Sequence, residues 1–141
     1  MRDVPPPTMI LIYLGSNDIG TIKTFNLIEN IETDILRLKL LFPNCRIIWS
    51  ELLMTRYCHN AKKGTALEKA RKRVNCANKN FVLSEGHCEN KHPNIRAGKK
   101  TLFRHDGVHL SDIGNDIFLN NIQAGLETFI SSPHISSFPA A

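Results

Sequence analysis

Two short segments of this chain combine residue types that do acid–base chemistry with spacings that let them meet. The first is Asp106-Gly107-Val108-His109, followed at once by Leu110-Ser111-Asp112. An aspartate and a histidine separated by two residues in a turn can pair carboxylate to ring Nδ1–H. That contact fixes the imidazole tautomer and leaves Nε2 free to accept a proton. It also favours the imidazolium that forms when the proton arrives. The second segment is Gly15-Ser16-Asn17-Asp18, placed directly after an apolar run. Glycine permits a tight turn or a close backbone approach there. The amide of Asn17 can present an N–H to a developing oxyanion, a contribution of about 2.7–4 kcal/mol for one such donor. Taken singly, each segment also fits an ordinary turn, in which Asn and Asp bind nearby backbone.

These side chains need elements to hold them. Residues 8–14 form a continuous apolar, β-rich run, which predicts a strand buried on both faces, as in a parallel sheet. Residues 21–42 predict a helix whose buried face is Phe25, Ile28, Ile31, Ile35, Leu38 and Phe42, at steps of three and four. Pro43-Asn44 stops it. Residues 45–50 predict a second strand, and 51–64 a long loop on the sheet rim. Residues 65–82 predict a second helix with Leu67, Ala70, Val74, Ala77 and Phe81 as its buried stripe. A third strand is expected near 86–92 on topology, although Cys88-Glu89-Asn90-Lys91-His92 is poor in strand formers. Residues 101–110 form a loop, and Ser111 caps a last helix whose apolar face is Ile113, Ile117, Ile122, Leu126 and Phe129. Residues 1–7 are a disordered lead-in, and 131–141 a flexible tail.

Strands alternating with amphipathic helices define an α/β layer structure with a parallel sheet. Such sheets carry their sites at the carboxyl ends of the strands, where Gly15 to Asp18 falls. The 141 residues fit one domain. With 42% apolar residues they suffice for a real core. The run Met9 to Leu14 is far short of the roughly 20 residues that span a bilayer. No membrane partner is expected, and a cytoplasmic setting with reduced thiols is. The adjacent pairs Cys58-His59 and His87-Cys88 do not match zinc-ligand spacing, so no metal is expected.

The formal charge of +5 is concentrated in Lys62, Lys63, Lys69, Arg71, Lys72, Arg73 and Lys79. A basic face of this kind can attract nucleic acid. A solvated helix face accounts for it as well, and no aromatic residues interleave with the charges as a single-strand platform requires.

In order along the chain, the two motifs together resemble the SGNH (GDSL-like) hydrolases. Gly15-x-Asn17-Asp18 matches that family's third conserved block, and Asp106-x-x-His109 its fifth. The resemblance spans about residues 8–130. It is greatest to esterase-like domains in open reading frames of vertebrate non-LTR retrotransposons. The run Leu41-Phe42-Pro43-Asn44-Cys45-Arg46-Ile47-Ile48-Trp49-Ser50-Glu51 and residues 106–127 carry that likeness. The resemblance implies a flavodoxin-like three-layer α/β/α sandwich, here lacking its first strands. It implies a small ester as substrate, an acyl-serine intermediate, and no metal or organic cofactor. By the same carry-over His109 is the general base and acid, Asp106 its orienting carboxylate, and Asn17 an oxyanion-hole donor.

The family's nucleophilic serine and oxyanion-hole glycine belong to blocks that precede the strand starting at Thr8. Residues 1–7 contain neither. The expectation is an SGNH-type serine esterase domain, catalytically impaired, a retrotransposon-derived pseudoenzyme. Ser16 is the candidate substitute nucleophile. The alternative is a non-enzymatic interaction module of retroelement origin that binds nucleic acid through Lys62, Lys63, Lys69, Arg71, Lys72 and Arg73. An edge strand at 8–14 without its neighbours is also expected to favour self-association.

Overall fold

A computed structural model describes residues 4–55 and 61–140, with the side chains of 61–63 outside the description. Four short strands form one parallel sheet in the order β1 (Met9–Ile12), β2 (Arg46–Ser50), β3 (Cys88–Asn90) and β4 (Ser137–Phe138). Three helices connect them: α1 (Thr24–Leu41), α2 (Ala61–Ser84) and α3 (Asp112–Ser131).

Parallel strands need long crossovers, and each helix spends its crossover covering a sheet face. Alternation along β2 divides the two faces. Ile47 and Trp49 point into a core closed by Leu27, Ile31 and Ile35 of α1 and by Val74 and Val82 of α2. Ile48 points the other way, into a smaller core with Cys88 and Phe129 of α3. The result is the α/β/α sandwich with a parallel sheet that the sequence implies. β1 is an edge strand, paired on one side only among the described residues.

Several expected details differ. The strand at 8–14 is shorter, Met9–Ile12, because Gly15 takes a positive φ of 99° and turns the chain. α1 starts at Thr24, since Thr21 and Ile22 donate their N–H groups back to the Asp18 carbonyl in a turn. Phe25 is thereby left 72% exposed, and Leu27 takes the buried position. α2 begins at Ala61, inside the expected loop at 51–64, of which 56–60 lies outside the described residues. Its buried positions include Asn75 and Asn78. Asn75 holds a core position by serving the backbone: its Oδ1 accepts from Leu52 N (2.8 Å) and its Nδ2 donates to Leu52 O (3.1 Å). In α3, Ile113 is 57% exposed, and Gly114 occupies the buried place against the 3₁₀ turn Lys100–Leu102. The expected flexible tail carries β4, where Lys91 N donates to Phe138 O (2.7 Å). The weak strand expected near 86–92 is present as β3.

Candidate active site

The Asp106–His109 turn is built as a closed hairpin. Phe103 and Leu110 bridge antiparallel, Arg104 N donates to His109 O (2.9 Å), and Gly107 N donates to Arg104 O (2.9 Å). Gly107 has φ +67°, a conformation that glycine adopts without the Cβ penalty. A small apolar cluster of Ile95, Leu102 and Phe103, with Leu53, Leu110, Ile117 and Phe118 against it, anchors the hairpin. Ser111 then starts α3: its Oγ accepts from Gly114 N (3.1 Å) and donates to Thr101 O (2.5 Å). That cap is the one expected from the sequence.

Within the hairpin, Asp106 Oδ1 accepts from the backbone N–H groups of Val108 and His109, both at 2.9 Å. Its Oδ2 lies 2.5 Å from His109 Nδ1. The hydrogen bond from His109, followed by those two backbone donors, holds the Asp106 carboxyl far below the usual carboxylate range. An ionised Asp106 requires the proton on Nδ1, which in the neutral ring leaves the lone pair on Nε2. Among the described residues Nε2 of His109 has no hydrogen-bond partner, and the side chain is 73% exposed.

A cavity of about 590 Å³ lies beside this ring. His109, Ser16 and Asn17 all line it, with Tyr13, Leu53 and Phe118 among its apolar walls. The fold therefore brings the segment after β1 and the segment before α3 to one place, despite their separation in sequence. Neither Ser16 nor Asn17 makes a side-chain hydrogen bond with a described residue, and both are exposed.

The basic set behaves differently. Lys69, Lys72 and Arg73 are exposed on α2. Lys62 and Lys63 lie outside the residues whose side chains are described. Arg71 is not a free cation. Its guanidinium grips Glu68 through Nε (2.9 Å) and Nη2 (2.5 Å) and donates to Leu52 O through Nη1 (2.9 Å). This corrects its place in an exposed nucleic-acid face: Arg71 ties α2 to the segment after β2.

A second serine–histidine contact lies deeper. Ser50 Oγ is 2.8 Å from His92 Nε2, both residues buried. Asn121 of α3 donates its Nδ2 to His92 Nδ1 (3.2 Å). The Asn121 amide is itself oriented by reciprocal contacts with Asn94 at 2.7 and 3.3 Å. Nδ1 is thus the acceptor, and Nε2–H donates to Ser50. This tautomer is the reverse of what a base for Ser50 needs. Burial pushes the His92 imidazole down to about 4, so it stays neutral near pH 7. The His92 ring packs 4.7 Å from Phe118, whose ring meets Tyr13 edge-on at 5.6 Å. The network thus braces the apolar wall of the cavity. Sequence reasoning passed over it because Asn121 is polar. A signal was available: Phe118, Asn121 and Gly125 recur at helical spacing as one stripe of α3. At its end a Cβ on Gly125 would lie 2.9 Å from Asn90 Nδ2.

Such a molecule is a three-layer α/β sandwich with its site residues in loops at the sheet rim. No family model and no curated protein matches the chain. Among solved structures it is similar to the esterase domain of the ZfL2-1 ORF1 protein from the zebrafish ZfL2-1 retrotransposon. The TM-score is 0.62 at 23% identity, over 82% of this chain and 70% of that domain. The fold of a retrotransposon esterase domain is therefore the fold of this chain. Among the described residues no helix is long and apolar enough to cross a membrane.

Proposed function

We propose that this chain is an SGNH-type (GDSL-like) esterase domain of retroelement origin whose described residues supply the acid–base half of a serine-hydrolase site and not an activated serine. A cytoplasmic setting is part of the same proposal. The observation that carries it is the Asp106–His109 pair at the cavity that Ser16 and Asn17 also line.

In this reading His109 Nε2 takes a proton from a nucleophile as its oxygen attacks the ester carbonyl. Asp106 holds the resulting imidazolium. The side-chain N–H of Asn17 donates to the oxyanion. When the tetrahedral species collapses, the leaving alkoxide takes the proton back from His109. With no serine bonded to Nε2, the nucleophile is water, and catalysis is confined to the general-base share of about 10²–10⁴-fold. Ser16 is the serine closest in kind to a substitute, since it lines the same cavity.

Two readouts test this. Turnover of a small aryl acetate should exceed that of His109→Ala by about tenfold or more. A fluorophosphonate probe should leave every serine unlabelled, as mapped by mass spectrometry. Equal turnover by the two proteins would sink the esterase reading. Labelling of a single serine that vanishes in His109→Ala would instead overturn the impairment and implicate a rewired triad.

A further inference from the structure

Next to the cavity at His109 lies another, of about 660 Å³, which the esterase chemistry does not use. The two share the wall formed by Leu53, Met54, Arg71 and Ala97. The second cavity opens between α2 and the segment after β3, and its rim is cationic. Lys72 and Lys79 come from α2, and Lys91 and Arg96 from the segment that follows β3. None of these four is in an ion pair with a described residue.

Their convergence is a property of the fold. Lys72, Asn75, Cys76 and Lys79 stand at i, i+3, i+4 and i+7, one face of a helix, and all four line the cavity. Asn75 clamps that face to Leu52 by two hydrogen bonds, and Arg71 reinforces it at the same carbonyl. The helix face that carries the two lysines is therefore fixed by a buried anchor. Lys69 and Arg73 are exposed on α2 and do not line the cavity. Two carboxylates, Glu51 and Glu89, line the cavity as well. Glu89 is 1% exposed and accepts from Ser137 Oγ (3.3 Å). Glu51 is half-buried, and that burial, ahead of the nearby Glu89, pushes its carboxyl up, against the opposing pull of Arg71 and Lys91. Lys72, Lys79, Lys91 and Arg96 outnumber these two carboxylates in the lining.

We propose that this cavity is a phosphate-binding site, formed by Lys72, Lys79, Lys91 and Arg96 and taking a phosphoryl group of a small ligand or of a single-stranded RNA backbone. Four cations lining one cavity, none of them in an ion pair with a described residue, can neutralise a phosphate. Among the described residues that line it there is no Phe, Tyr or Trp, so recognition there rests on charge rather than on base stacking. The proposal is independent of the esterase reading, because no residue of the cavity rim takes part in that chemistry.

Cys76 supplies the reporter. It is exposed and lines the cavity, whereas Cys45 and Cys88 are buried. The rate of Cys76 alkylation by iodoacetamide, read by mass spectrometry on the full chain, should fall on adding inorganic phosphate or a short oligouridylate. Protection by phosphate alone identifies a small-ligand site. Protection by the oligomer at much lower concentration identifies a strand. Either result supports the site. Lys72→Glu with Lys79→Glu should raise the concentration needed by about tenfold or more, and added salt should raise it too. Lys69→Glu with Arg73→Glu should leave it within about twofold. The proposal is overturned if neither probe protects Cys76, or if the Lys69 and Arg73 pair weakens protection as much as the cavity pair.

Discussion

Gly114→Ala is the sharpest structural test of how the His109 hairpin is held. Gly114 is the third residue of α3 and abuts the 3₁₀ turn on the far side of the hairpin. A Cβ at this position would lie 2.1 Å from the Leu102 carbonyl oxygen and 3.1 Å from Leu110 Cδ2. Ordinary non-bonded separations are about 3.5 Å or more, so helix and turn must part by over about 1 Å. The Leu102 oxygen also accepts from Ser111 N at 2.9 Å, a bond that such a shift breaks. Overpacking costs about 1–3 kcal/mol, with the upper end appropriate to a backbone clash. The hydrogen bond adds about 1 kcal/mol. A loss of about 4 kcal/mol corresponds to a fall in Tm of about 15 °C for a chain of this size. Gly98→Ala is the matched control, because a Cβ there meets nothing within 4 Å. Thermal unfolding followed by circular dichroism compares the two. If Gly114→Ala melts within about 2 °C of the Gly98→Ala protein, α3 does not seat on Leu102 as described and the positioning argument for His109 fails.

Other consequences can be measured with the same preparations. Ser111→Ala removes the acceptor of Gly114 N and should cost about 1 kcal/mol by urea denaturation, where no change would mean that the cap is not formed. Asn75→Leu removes both contacts to Leu52 and should cost about 1–3 kcal/mol, with Leu52 N left unpaired. His92 gives a pH signature: its folded value of about 4 lies below the ordinary 6.5, so the unfolded chain binds the proton more readily. Stability should therefore fall as pH drops from about 6.5 to about 4, by an amount on the order of 3 kcal/mol, and level off below. His87 shifts in the same direction, first by burial, and adds to the slope. His92→Gln should flatten the dependence, and an unchanged slope would show that His92 is not the buried neutral group.

What the sequence disclosed followed physical signal strength. Continuous apolarity at 8–14 marked a strand covered on both faces, and β1 lies there; the second strand expected at 45–50 is β2. The Asp106 to Asp112 segment was legible because its turn, its acid–base pair and its cap are all local. β3 was expected from topology against its own composition. Its Glu89 and Asn90 are buried, and such burial offsets poor strand propensity only in the assembled sheet. Helix faces were misphased at Phe25 and Ile113, where a turn and a glycine contact decide which side is inward. Asn75 and Asn78 were hidden because periodicity counts apolar residues, while these positions bury amides, and Asn121 because it is polar and half-buried. β4 was hidden because two residues of strand carry no period at all. The division of the basic residues between an outer face, an internal tie at Arg71 and a cavity rim needed the three-dimensional arrangement.

The central claim is that Asp106 sets His109 as a proton acceptor beside Asn17. Its most direct test is the tautomer of His109, read by long-range ¹H–¹⁵N correlation on the neutral imidazole. The account predicts the proton on Nδ1 with Nε2 bare, and loss of that preference in Asp106→Ala. A neutral ring protonated at Nε2 in the wild-type chain, unaltered by the substitution, would contradict it.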